Sequence, residues 1–183
     1  CASDAVDPAM SNLQLRQAIS KAIDRELITQ NIFQGARVPA TGWVNPVVAG
    51  YQPDVCGEWC TYDPDAAAQL MEESGFTGTL TISYNADSSH KEWVEATCNS
   101  IRNATGVECL ATPVVDFATF RDQITNREMT GIFRTGWQMD YPSIENFLVP
   151  IYATGASSND GDYSNPDFDA KLQEAAEATD PDE

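Results

Sequence analysis

The segment FRTGWQMDYPSIENFL, residues 133 to 148, sets a lone carboxylate, Asp140, among Trp137, Met139 and Tyr141, with Pro142 directly after. A charge without a partner is costly to bury in apolar company. Asp140 therefore points either to a ligand cation or to the main chain of a turn, such as the start of a helix at Ser143, that its side chain would cap. Other groups able to do chemistry are few. Ser88-Ser89-His90 is the one cluster that sets a nucleophile beside a base, as a hydrolase requires. A single histidine at an ordinary helix start supports that reading weakly, and no catalytic residue is assigned. The acidic stretch SSNDGDYSNPD offers oxygen ligands for calcium, yet its glycine and terminal glutamate miss the offsets of an EF-hand.

The five cysteines bear on compartment. Cys56 and Cys60 flank a Gly-Glu-Trp loop, Cys98 lies in a helical pattern, and Cys109 in the strand-like run after it. Two local bridges, Cys56–Cys60 and Cys98–Cys109, are the economical pairing and imply an oxidising, extracytoplasmic setting. Cys1 is left over. The rival reading, a zinc site, needs further thiols or histidines, and His90 is the only histidine. No metal site is assigned and no cofactor is called for.

The 183 residues suffice for one domain with a sizeable core, or for one lobe of something larger. A formal net charge of -18 repels phosphate backbones and argues against nucleic acid as a partner. Much of the acidity falls in loops and towards the C-terminus, where ATDPDE reads as solvated. No apolar run approaches the ~20 residues that cross a bilayer.

The elements that must position Asp140 can be read from periodicity. Residues 13 to 33 place Leu15, Ile19, Ala22, Ile23 and Leu27 on one helical face ending at Gly35. A long irregular stretch follows, roughly 36 to 62, which a disulfide could pin. Asp63 reads as an N-cap with Pro64 at the first position of a helix stopping at Gly75. Then strands over 79–85, 107–115 and 130–137 alternate with helices over 90–105 and 117–128, the pattern of an α/β layer. A short helix over Ser143 to Leu148, capped by Ser143 and closed by Pro150, and a last helix from Asn165 complete the chain. In that order Asp140 follows the carboxyl end of the third strand. Asn85 and His90 follow the first and Phe117 the second, on the rim where open α/β sheets bind ligands.

Four segments, LRQAISKAIDRE, YDPDAAAQLMEESGF, GWQMDYPSIENFL and YSNPDFDAKLQEAAEATD, occur in that order. Together they resemble the second lobe of the family 5 extracytoplasmic solute-binding proteins, the oligopeptide- and dipeptide-binding proteins of ABC transporters. The resemblance runs from about Leu13 to the end. It implies a periplasmic-binding-protein-like α/β lobe with a mixed or parallel sheet flanked by helices. Residues 1–183 would be a single lobe, most of the second lobe of a longer two-lobe protein, with 1–12 and 179–183 as inter-lobe connections.

The resemblance also implies roles. In oligopeptide-binding members the aspartate after the Gly-Trp pair anchors the peptide α-ammonium, and Asp140 matches it. The main chain of Gly136, Trp137 and Gln138 matches the segment that pairs with an extended peptide, with Trp137 as a pocket wall. Arg134 matches an arginine that meets ligand carboxylates; an ordinary ion pair with a nearby acid is its alternative. Asn85, His90 and Phe117 match pocket-lining positions, although His90 could equally be the exposed first turn of its helix. The implied function is capture of oligopeptides or dipeptides in an inter-lobe cleft for delivery to ABC permease subunits in the membrane, with the missing first lobe as a further partner. The implied location is the cell surface or periplasm, with anchoring through a lipidated N-terminus not present in this chain. A non-peptide ligand such as nickel or a sugar, or a surface receptor reusing the lobe, is the alternative.

Overall fold

The computed structural model describes residues 1–178, and the expected connection 179–183 lies outside the described residues. They form two compact units: Cys1–Thr41 with Asp54–Thr135, and Gly42–Pro53 with the chain from Gly136 onward.

The first unit is built on helices α1 (Leu13–Lys21), α2 (Arg25–Asn31) and α3 (Pro64–Ser74), strand β1 (Leu80–Asn85), helix α4 (Lys91–Thr105), strand β2 (Cys109–Val114), helix α5 (Phe117–Thr125) and strand β3 (Ile132–Phe133). The three strands are parallel in the order β2-β1-β3. Leu80 pairs with Cys109 and Asn85 with Val114, while Ile82 and Ser83 pair with Ile132 and Phe133. β1 is central and buried along almost its whole length, as befits a parallel strand covered on both faces. Leu15, Ala18 and Ile19 of α1, Met71 of α3, Val94 and Ile101 of α4, and Phe120 and Ile124 of α5 close the core. Each large side chain so buried contributes roughly 1.5–3 kcal/mol.

Local signals made α3 legible. The Asp63 side chain accepts from Ala66 N at 3.0 Å, Pro64 opens the helix, and Gly75 ends it at φ 66°. The single helix expected over 13–33 is instead two. Ser100, from α4, donates to Ala22 O at 2.7 Å and accepts from Asp24 N at 2.9 Å, so the chain turns there and Asp24 caps α2 through Leu27 N. The turn leaves Leu27 55 % exposed instead of on the apolar face. The third strand is also shorter than expected, two residues in place of 130–137. Arg134 N still reaches Ser83 O at 2.8 Å, but the chain then leaves β1 for the second unit. Gly131 before it has φ 67°, and a Cβ there would run into Thr81 Oγ1.

Both expected bridges are present, with Cα atoms 5.0 Å apart for Cys98–Cys109 and 5.6 Å for Cys56–Cys60; Cys1 joins neither. Cys98–Cys109 ties α4 to β2. Cys56–Cys60 closes a short turn whose carbonyls serve two cations, one buried and one half-buried: Lys21 Nζ donates to Glu58 O at 3.2 Å and Arg25 to Cys60 O at 3.3 Å. Lys21 also lies 3.3 Å from the Glu58 carboxylate and 5.3 Å over the Trp59 ring. Residues 1–12 pack on this unit, where Ala2 and Met10 are core residues.

The second unit holds α6 (Glu145–Tyr152) and α7 (Pro166–Glu177). Ala49 N donates to Pro142 O and Ile144 N to Ala49 O, joining the loop 42–53 to the segment before α6. Pro150 does not close α6 as expected. It lies inside the helix, and beyond it Ala153 N still reaches Val149 O at 3.2 Å. Ser143 does accept from Glu145 N, at 3.3 Å, although Ile144 is the capping position. Rings of Trp43, Tyr152, Tyr163 and Phe168 run in series at centroid spacings of 4.7, 6.2 and 5.8 Å.

Candidate functional site

The residues singled out in the sequence fall in two groups. Asn85, His90, Phe117 and Arg134 belong to the first unit; Gly136, Trp137, Gln138 and Asp140 belong to the second.

In the first unit the carboxyl end of β1 delivers Asn85, which is buried, to the turn before α4. Its Nδ2 donates to Asp87 Oδ1 at 2.7 Å, and its Oδ1 accepts from Arg134 at 3.5 Å. The other oxygen of Asp87 accepts from Phe117 N at 3.0 Å, tying the start of α5 to the end of β1. The Asn85 amide, then the Phe117 N–H, hold the Asp87 carboxyl below its ordinary value. Arg134 has no carboxylate within ion-pair distance among the described residues, so the ordinary ion pair is not what the structure contains. Burial lowers its pKa, and the guanidinium stays charged at neutral pH.

His90 is half-buried at the capping position of α4, not fully exposed. Its Nδ1 accepts the Trp93 indole N–H at 3.2 Å, which places the ring proton of the neutral form on Nε2. Burial, then the fields of Arg134 and Arg37, lower its pKa against the opposing charge of Asp87. Phe117 is 48 % exposed. The geometry links Arg134 to Asn85 and, through Asp87, Asn85 to Phe117, with His90 within the field of Arg134 and Asp87.

In the second unit Asp140 is exposed, which corrects the picture of a carboxylate buried among aromatics. Its restraint comes from one residue, Asn146 of α6, which is only 6 % exposed. Asn146 Oδ1 accepts from Asp140 N at 2.8 Å and from Trp137 Nε1 at 3.4 Å, while its Nδ2 donates to Asp140 Oδ2 at 3.4 Å. The Asp140 side chain therefore receives a bond and caps nothing. Among the described residues no cation pairs with it. The main chain of Gly136, Trp137 and Gln138 lies outside helix and strand and makes no hydrogen bond among the described residues.

Two residues that matter here, Asp87 and Asn146, were not picked out in the sequence. Asn146 left a signal, as the one polar amide inside the apolar run IENFLVPIY. Asp87 left little, since an aspartate in a turn after a strand is common.

Comparison with known proteins places these features. Residues 3–159 match the model of the bacterial extracellular solute-binding proteins, family 5, middle region. The chain is 25 % identical over 180 residues to the oligopeptide-binding protein OppA of Bacillus subtilis, covering 93 % of this chain and 33 % of that protein. It is 28 % identical over 182 residues to heme-binding protein A of Haemophilus influenzae, covering 94 % of this chain and 32 % of that one. The structure of OppA from Burkholderia pseudomallei superposes with a TM-score of 0.87 at 27 % identity, over 99 % of this chain and 37 % of that chain. This chain thus spans about a third of the length of the curated relatives it matches. Its parallel sheet flanked by helices is the periplasmic-binding-protein-like fold of those neighbours. Those two relatives are named for binding oligopeptides and heme. With the family match covering most of its length, the chain belongs to the bacterial extracellular solute-binding proteins of family 5.

Proposed function

We propose that this chain is most of one ligand-binding lobe of a longer peptide-capturing protein that serves an ABC importer. In that protein Asp140 reads the α-ammonium of the peptide. The observation that carries this reading is the exposed Asp140 carboxylate, held by Asn146 and, among the described residues, left without a cation, close in the chain to main-chain groups of Gly136–Gln138 that make no hydrogen bond among those residues. An ammonium brings the missing charge as a charge-assisted bond. Unused N–H and C=O groups suit pairing with an extended peptide, and such pairing is indifferent to the peptide's side chains. Arg134, a cation without a carboxylate partner among the described residues, suits a ligand carboxylate in the same spirit. Asn85 and Phe117, with His90, would shape the surface near it. Delivery would be to the membrane subunits of the importer, from an extracytoplasmic position held by a lipidated N-terminus, and the reading invokes no catalysis.

The test uses the complete protein, a short peptide with a free N-terminus and its N-acetylated form. Asp140→Asn keeps the shape and loses the charge, so the free peptide is expected to bind at least about tenfold more weakly, about 1.4 kcal/mol. The acetylated peptide should change little, and the two modifications should be non-additive, as expected of direct partners. Equal loss for both peptides, or additivity, would show that Asp140 does not read an N-terminus.

A further inference from the structure

We infer that Asn146 is a positioning residue that sets the selectivity for peptide N-termini by clamping Asp140 and Trp137 together. The inference rests on the reading of Asp140 as the ammonium anchor and adds the residue that makes an exposed carboxylate selective. An exposed aspartate on an irregular segment samples several rotamers, and fixing it on binding costs conformational entropy. Asn146 removes that freedom in advance. It is buried in α6, the helix that follows the segment, and one amide engages three groups: Asp140 N at 2.8 Å, Trp137 Nε1 at 3.4 Å and Asp140 Oδ2 at 3.4 Å.

The chemistry of these neighbours fixes the orientation of the amide. Two N–H donors face one side of Asn146 and must meet its oxygen; a carboxylate faces the other and must meet its NH2. A flipped amide would set two donors against two donors and leave the Asp140 carboxylate against an oxygen. The bond to Oδ2 also leaves Oδ1 of Asp140 with no hydrogen bond among the described residues. One oxygen is thus spent on the clamp and the other is presented to the ligand. Aspartate in place of Asn146 would keep the acceptor and lose the donor. Leucine, of similar size, would lose both.

The experiment again uses the complete protein, with Asn146→Leu, Asp140→Asn and the double variant, against the free and N-acetylated peptides. Asn146→Leu is expected to weaken the free peptide about tenfold, a loss typical of a hydrogen bond to a charged group. The acetylated peptide should stay within about twofold. The double variant should be no weaker than Asp140→Asn alone. A loss shared equally by both peptides would mean that Asn146 only supports the fold. If Asp140→Asn discriminates between the peptides and Asn146→Leu does not, the clamp is wrong while the anchor stands; if neither discriminates, the anchor itself fails. Hydrogen exchange on the unmodified protein gives an answer that does not depend on the variants folding. The Asp140 amide should exchange at least about tenfold more slowly than those of Gly136 and Gln138. Equal rates for the three amides would overturn the clamp.

Discussion

Phe120 and Asn159 are each among the most buried side chains of their compact units, and they hold them in opposite ways. Phe120, 1 % exposed, belongs to the apolar core that joins α5 to β1, α1 and α4 in the first unit. Asn159, 4 % exposed, serves the second unit through hydrogen bonds. Its Nδ2 donates to Ala153 O at 3.1 Å and Tyr163 O at 2.7 Å, and its Oδ1 accepts from Tyr163 N at 2.9 Å. Asn146 does similar work for Asp140 and Trp137. The first unit is a packed α/β layer with a disulfide across it. None of the second unit's described residues belongs to that core, and its buried amides order loops that make no regular ladder among those residues. Hydrophobic burial scales with area and stabilises a unit globally. A buried amide orders only the few groups it touches, at a high local cost if it is lost. The contrast is between a frame held by an apolar core and loops fixed locally by buried amides.

The largest expected effect is in the frame. Phe120→Ala should destabilise the first unit by about 3–5 kcal/mol through lost burial and the cavity left behind. A fall of roughly 10 °C in melting temperature is expected for a chain of this length. A loss below about 1 kcal/mol would show that the apolar core does not carry this unit.

A smaller and more local effect should follow Asn159→Ala, which leaves the carbonyls of Ala153 and Tyr163 and the N–H of Tyr163 without this partner. About 2 kcal/mol is expected, read as faster amide exchange over residues 153–165 with protection in β1 and α4 unchanged. Faster exchange in both regions would erase the distinction, since it would mean the two units open as one cooperative body.

The smallest effect concerns His90, the only histidine and therefore unambiguous in a proton titration followed by NMR. Burial and the two arginines depress its pKa, so the folded state prefers the neutral ring that accepts the Trp93 N–H. The associated stability is fully present above the unfolded value of about 6.5. It is lost as pH falls through the lower folded value. The midpoint is expected below 6.5, and Arg134→Met should raise it. A midpoint at or above 6.5 would show that the surroundings of His90 lack the positive field of Arg134 and Arg37.

How much of this was legible in the residues varies with the reach of the interaction. Asp63, Pro64 and Gly75 bounded α3 because a cap acts within three residues of itself. The alternation of strands and helices from Leu80 to Phe133 followed from periodicity, and the two bridges joined cysteines no more than 11 residues apart. The break between α1 and α2 was invisible, because Ser100 makes it from 76 and 78 residues away. Likewise β3 stops where its chain leaves the sheet, and no residue type marks that departure.

Of the candidate site, the sequence by itself determined which side chains carry charge and which elements deliver them: Asp140 after a Gly-Trp pair, Arg134 beside it in the chain, Asn85 at a strand end. Only the tertiary structure decided that Asp140 is exposed and held through Asn146, that Arg134 meets an amide in place of a carboxylate, and that Asp87 links Asn85 to Phe117. An ionisable group belongs to its residue and is present in any conformation. Partnership depends on distances of about 3 Å between groups that folding alone brings together, and a hydrogen bond weakens steeply beyond them.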